Sequence, residues 1–250
     1  IPALSGLVSD QPLETNRTLV YKEAQFYMIA VSVIVITFAL AVIYVPVSGG
    51  PPLVGQLTRP LALLPLALYG LYIFIQWQDV SDHDGERIDD GVPVVRRWLM
   101  LAGGLLVILL AVEQMVGSVE SLSHTFGVPD FLAGVTVLAA ATSLPDLLVS
   151  VRSARDGNSV TSLANVLGSN TFDLLVAIPI GVLIVGTIPI DFATAVPMLG
   201  VLTLATVLLF GVLRTDLSLT DGEAALLALS YLLFVAWVVA ETLGVTQLIR

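Results

Sequence analysis

At 250 residues the chain is 56% hydrophobic and only 12% charged, with a mean hydropathy of +0.95, too little polar surface to cover a water-soluble globule. Lipid is therefore the solvent for most of it. The net charge of −10, with Lys22 the one lysine, argues against nucleic acid as a partner, and the absence of cysteine excludes disulfides, thiolate metal sites and cysteine nucleophiles.

The chain opens at Ile1 without an initiator methionine and continues into a polar segment, which reads as the start of a fragment and calls for no cleavable signal. Crossing a hydrocarbon core of roughly 30 Å takes about 20 mainly apolar residues in a helix. On that criterion spans are predicted near 24–45, 60–77, 97–117, 131–151, 160–186, 194–213 and 223–243. Glu113 falls toward the outer end of the third span and reads as a loop-adjacent acid. The connectors carry turn residues, including Gly127-Val128-Pro129-Asp130 and Asp156-Gly157-Asn158. His83 and His124 fall in predicted loops and receive no function.

Short cytoplasmic loops retain Lys and Arg. Arg17, Lys22, Arg87, Arg96, Arg97, Arg152, Arg155 and Arg214 fall on one side, and only Arg59 and Arg250 on the other. Seven spans then run from an inside N-terminus to an outside C-terminus. Loops 78–96, 152–159 and 214–222 are expected in the cytoplasm, and 118–130 and 187–193 outside.

A weak internal match appears at an offset of 177 residues: Ile1-Pro2 echoes Ile178-Pro179, Pro12 echoes Pro189, and Glu14 echoes Asp191. Two spans follow each copy, and the charge pattern gives the copies opposite orientations. That is the signature of an inverted repeat, an architecture of secondary transporters that bind substrate where the copies meet. The expected division is 1–77 as the end of a first repeat, 78–96 as an acidic cytoplasmic linker, and 97–250 as a second repeat. The helices that begin the first repeat are then missing partners, expected before Ile1. Acids crowd the linker, above all Asp79, Asp82, Asp84, Glu86, Asp89 and Asp90. Their spacing does not match a hand-type calcium loop. A salt-loving organism, archaeal or bacterial, accounts better for so acidic a surface.

Chemistry concentrates on two spans. Ala139-Ala140-Ala141-Thr142-Ser143-Leu144-Pro145-Asp146 places a polar cluster in apolar surroundings. Pro145 lacks an N–H and crowds the carbonyl of Ala141, so a kink is expected there. Thr142, Ser143 and Asp146 then gather toward one face. In the next span Asn165, Ser169 and Asp173 recur at intervals of four, with Gly168 expected to admit a neighbouring helix. A carboxylate at membrane depth costs on the order of 3 kcal/mol, and neither span holds a Lys or Arg to pair with it. A bound cation or a proton is the natural counter-charge. Carboxylate, hydroxyl and carbonyl oxygens suit hard cations such as sodium and calcium.

Thr142-Ser143-Leu144-Pro145-Asp146 and Gly168-Ser169-Asn170-Thr171-Phe172-Asp173, with 23 residues from Asp146 to Ser169, resemble the second signature repeat of sodium/calcium exchangers, members of the cation/calcium antiporter superfamily. The resemblance runs over about residues 97–186. It implies an all-α integral membrane protein with an inverted-repeat antiporter fold of ten helices, of which about seven lie in this chain. It also implies exchange of sodium for calcium by alternating access, with no enzymatic activity and no cofactor beyond the transported ions. Carried over to this sequence, the ligands are the Ala139 carbonyl, the hydroxyls of Thr142, Ser143 and Ser169, and the carboxylates of Asp146 and Asp173. Ala141 departs from the glycine usual in the family before the Thr-Ser pair. The implied setting is a cell membrane crossed several times, with calcium, sodium and the lipid bilayer as partners.

Two other readings are weighed. A calcium/proton antiporter follows if the carboxylates carry protons instead of sodium. An intramembrane aspartyl protease also needs two membrane acids, but here Pro2-Ala3-Leu4 precedes both, and neither acid has a Gly-x-Gly-Asp motif.

Overall fold

Backbone polar groups that water cannot reach must be satisfied within the chain, so the apolar runs fold as helices. The computed structural model describes residues 1–9, 11–50, 53–81 and 93–246. A short helix α1 (Pro2–Val8) and strand β1 (Leu13–Glu14) lead to a π-helical turn, Leu19–Ala24, that continues as α2 (Gln25–Tyr44). Strand β2 (Val54–Thr58), α3 (Arg59–Ser81) and α4 (Val94–Phe126) follow. Next come α5 (Asp130–Ala133), a second π-helical turn (Gly134–Leu138), α6 (Ala139–Thr142) and α7 (Leu144–Arg155). Then α8 (Ser159–Phe172) passes through a third π-helical turn, Asp173–Ala177, into α9 (Ile178–Val185). Strand β3 (Thr187–Asp191), α10 (Phe192–Arg214), β4 (Ser218–Leu219) and α11 (Asp221–Thr242) complete the order.

Among the described residues six helices are long and apolar enough to cross a membrane. A seventh crossing results if Gly134–Thr142 and Leu144–Arg155, bent by 52°, count as one span. Each lies on a predicted span. Apolar side chains face outward along them, as on α4, where Leu99 is 68% and Leu109 67% exposed. Such a surface belongs in lipid.

The inverted repeat is visible in the pairing. Helix, strand, helix, strand, helix occurs as α1-β1-α2-β2-α3 and again as α9-β3-α10-β4-α11. Antiparallel pairs join the copies crosswise: β1 with β4, Leu13 opposite Leu219, and β2 with β3, Leu57 opposite Ile188. Correspondingly α1 packs on α11, α9 on α3, and α2 on α10. The two sheets lie at opposite ends of the α2 span, so the copies are joined at both ends. The sequence reading did not foresee these strands, which are too short for a period-two pattern. Gly55 in β2 is where strand meets helix, since a Cβ there would lie 2.4 Å from the Val42 Cα and 2.6 Å from the Ala41 carbonyl carbon. The Arg59 guanidinium Nε donates to the Leu183 carbonyl at 3.0 Å, so the basic residue on that side closes the end of α9.

Buried apolar side chains gather in three clusters along α2. One joins Leu13, Leu19, Leu163, Leu213, Leu219 and Ala224, a second joins Ala41, Leu57, Ala62 and Val182, and a third joins Phe26, Ala30 and Leu175.

Several expectations need correction. The external loop placed at 118–130 is mostly helix, because α4 runs 33 residues, to Phe126. Its polar end stays helical as Ser118, Ser121, Ser123 and Thr125 donate to carbonyls four residues back. The helix stops at Gly127 (φ 63°), with Val128 N–H closing onto the Ser123 carbonyl at 2.9 Å, a Schellman ending. His124 is therefore helical and not a loop residue, while Glu113 lies in the middle of α4 and not near its outer end. The opening segment forms α1, which buries Ser5 and Gly6. Most of the acidic linker, with Asp82, Asp84, Glu86, Asp89, Asp90, Arg87 and His83, lies outside the described residues. Asp79, still on α3, pairs with Lys22.

Candidate functional site

Pro145 decides the local geometry. Helix α6 ends at Thr142, Ser143 adopts φ −83°, ψ −3°, and α7 starts at Leu144 with proline in its first turn, where a missing N–H costs nothing. The 52° bend falls at the polar cluster. Thr142 Oγ1 donates to the carbonyls of Leu138 at 3.0 Å and Ala139 at 3.1 Å, and Ser143 N–H also donates to the Ala139 carbonyl at 3.1 Å. The oxygen lone pairs of Thr142 remain free to accept or ligate. Asp146 stands in the first turn of α7.

Helix α8 carries the second half. Its Asn165 amide donates to the Asp146 carbonyl at 3.2 Å and to Ser150 Oγ at 3.0 Å, fixing α8 against α7 beneath the bend. Ser169 Oγ donates to the Val166 carbonyl at 3.2 Å. Asp173 is the first residue of the third π-helical turn, and Ala139 immediately follows the second. Turns of this kind add a residue to the helical register and re-aim the side chains that follow.

The fold thus gathers the two polar segments: Asp146 and Asp173 lie within electrostatic reach of each other, and α7 packs along α8. Ala139, Thr142, Ser143 and Asp173 are exposed, while Asp146 and Ser169 are half-buried. These residues line a face that the described elements leave open. A Cβ at Gly168 would meet nothing within 4 Å, so the close helix approach expected there is not made by this chain's own described elements. Among the described residues no three His, Cys, Asp or Glu side chains are grouped so as to hold a metal ion. Two carboxylates with hydroxyls and carbonyls supply part of the roughly 6–8 oxygens that calcium takes.

One residue and one contact on this side of the molecule escaped the sequence reading. Tyr27 on α2 is 5% exposed and lies beside Thr206 of α10 and near Asp173. Tyr27 opens an apolar stretch of ordinary appearance, so no local pattern flags it. Asn165 was part of the stripe, but its bond to the Asp146 carbonyl depends on how α7 and α8 pack.

Comparison with known proteins bears on this geometry. Residues 96–240 match the model of the sodium/calcium exchanger protein family. The chain is 38% identical over 88 residues to sodium/potassium/calcium exchanger 3 of Rattus norvegicus, covering 34% of this chain and 14% of that protein. It is 39% identical over 100 residues to the putative antiporter CaxA of Alkalimonas amylolytica, 39% of this chain and 30% of that protein. With inner membrane protein YrbG of Escherichia coli (strain K12) the identity is 27% over 151 residues, 55% of this chain and 46% of that protein. The chain spans less than half the length of each of these relatives. Its fold resembles that of the sodium-calcium exchanger NCX_Mj soaked with Na+ and Sr2+, with a TM-score of 0.63 at 21% identity over 94% of this chain and 70% of that one. With the family model covering more than half of its residues, the chain is a multi-pass membrane protein that belongs to the sodium/calcium exchanger family.

Proposed function

We propose that this chain forms the end of the first repeat (residues 1–77), a cytoplasmic linker (78–96) and the second repeat (97–250) of a secondary antiporter that exchanges sodium for calcium by alternating access. The observation that carries this reading is that Asp146, at a helix break, and Asp173, at a π-helical turn, stand on two helical segments packed together and tied by Asn165. Paired acids without a basic partner call for cations.

In this reading the Ala139 carbonyl, the hydroxyls of Thr142, Ser143 and Ser169, and the carboxylates of Asp146 and Asp173 provide half of the ligand shell. Helices from the front of the first repeat cover the open face and bring the other half. Calcium, with two charges, neutralises both carboxylates at once, whereas sodium ions must enter in number. Competition between the two for the same oxygens couples their movements. Alternating access fits a pair of inverted copies that each hold a half-site and are joined crosswise at both ends of α2.

The test is calcium flux by the full-length protein in proteoliposomes. With pH clamped on both sides, an outward sodium gradient should drive calcium entry, and Asp146→Asn should abolish it. Flux driven by a pH gradient and indifferent to sodium would replace this reading with calcium/proton exchange.

A further inference from the structure

Ser5 Oγ on α1, Ser162 Oγ on α8 and Thr15 Oγ1 just after β1 are buried without a hydrogen-bond partner. Ser5 and Ser162 are each 0% exposed. A dry, unpaired hydroxyl loses its hydration without replacement. Helical serines have an easy remedy in the carbonyl four residues back, which Ser118, Ser121 and Ser123 use on α4. Ser5 and Ser162 do not use it.

The elements that carry them pack together at one end of the molecule. Ser162 extends the α8 stripe of Asn165, Ser169 and Asp173 by one turn toward the side that carries Arg152 and Arg155. Ser150, also 0% exposed, faces that stripe through its bond with Asn165. At the same end α1 packs against both α7 and α8, and β1 packs against α8. Thr15 then lines a cavity of about 480 Å³ together with Glu14 and Asp216. The outer half of the repeat differs: 177 residues on from Ser5 stands Val182, also 0% exposed and purely apolar.

We propose that the seam of α1 against α7 and α8, marked by Ser150, Ser162 and Ser5, is the arginine-side leg of the path for a hard cation leaving Asp146 and Asp173. It is closed in this conformation and ends in the vestibule of Thr15, Glu14 and Asp216. Parting α1 from α7 and α8 hydrates the stranded hydroxyls or lets them ligate the ion, as hydroxyl oxygens do for sodium and calcium. The two vestibule acids raise the local cation concentration. Because closure strands the hydroxyls, it carries a cost that opening relieves, so the seam is held near balance.

This inference rests on the antiporter reading, and exchange by the unmodified full-length protein in the same proteoliposomes tests that reading separately. Ser5→Cys and Ser162→Cys should react with a membrane-impermeant thiol reagent from the arginine-bearing face only. Their rates should change about tenfold between ion-free, sodium-loaded and calcium-loaded vesicles, and the ion giving the faster rate identifies which cation opens the seam. Ser5→Ala and Ser162→Ala remove the stranded hydroxyls, so they should raise the melting temperature and slow maximal exchange about tenfold. The calcium KM measured at the opposite face should not change. Cysteines unreactive in every ion condition, or alanine variants exchanging at the wild-type rate, overturn the proposal. Should the cysteine variants fail to fold, the alanine variants decide it.

Discussion

The Asn165 side-chain amide donates to the Asp146 main-chain carbonyl at 3.2 Å, so the helix carrying Asp173 is tied to the helix carrying Asp146 by a bond that leaves both carboxylates unused. The same amide reaches Ser150 Oγ at 3.0 Å. Asn165→Ala breaks both bonds and strands the buried Ser150 hydroxyl, at a cost of about 1–3 kcal/mol. Thermal unfolding of the full-length protein in detergent should register that loss. Calcium-induced stabilisation should shrink as well, and an unchanged calcium response would show that the tie does not position the site.

Asp146→Asn and Asp173→Asn retain shape and remove charge, so both should fold in ion-free conditions yet lose calcium-induced stabilisation and exchange. Asp146 should be the more sensitive, because it follows the break at Ser143. Asp191→Asn is the control: Asp191 caps α10 by accepting from Ala193 N–H at 3.0 Å, a role asparagine fills equally well. Normal calcium exchange by both site variants would remove the candidate site from consideration.

Gly55→Ala should destabilise the protein by about 3 kcal/mol or prevent folding, since its Cβ would enter the backbone of α2 and main-chain atoms yield little. Differential scanning fluorimetry against Gly168→Ala, where a Cβ meets open space, isolates the effect. Equal melting temperatures for the two variants would contradict the close approach of β2 to α2.

Cysteines introduced by Asn158→Cys and Ser48→Cys, both at exposed turn positions, should label from opposite faces of the membrane. Asn158 lies between α7 and α8 beside the arginines, and Ser48 follows α2 at its other end. Reaction of both with an impermeant thiol reagent added to one side would break the topology derived from basic residues.

Much of the architecture was legible because lipid imposes a length requirement that seven apolar stretches meet. Polar residues within such a stretch also stand out against a uniform background. Thr142, Ser143, Asp146, Ser169 and Asp173 were readable for that reason. The end of α4 was not, because hydroxyls that mark a loop in a soluble protein were satisfied by their own helix.

The sequence alone determined the membrane class, the positions of the spans, the helix break at Pro145 and the presence of two acids within apolar spans. Each depends on local composition or on a single residue's covalent geometry. Tertiary structure decided which elements meet: β1 with β4 and β2 with β3, Asn165 with the Asp146 carbonyl, and Tyr27 with Thr206 beside Asp173. Those contacts join residues far apart in the chain through packing of apolar surfaces that look alike in sequence, so no local pattern encodes them.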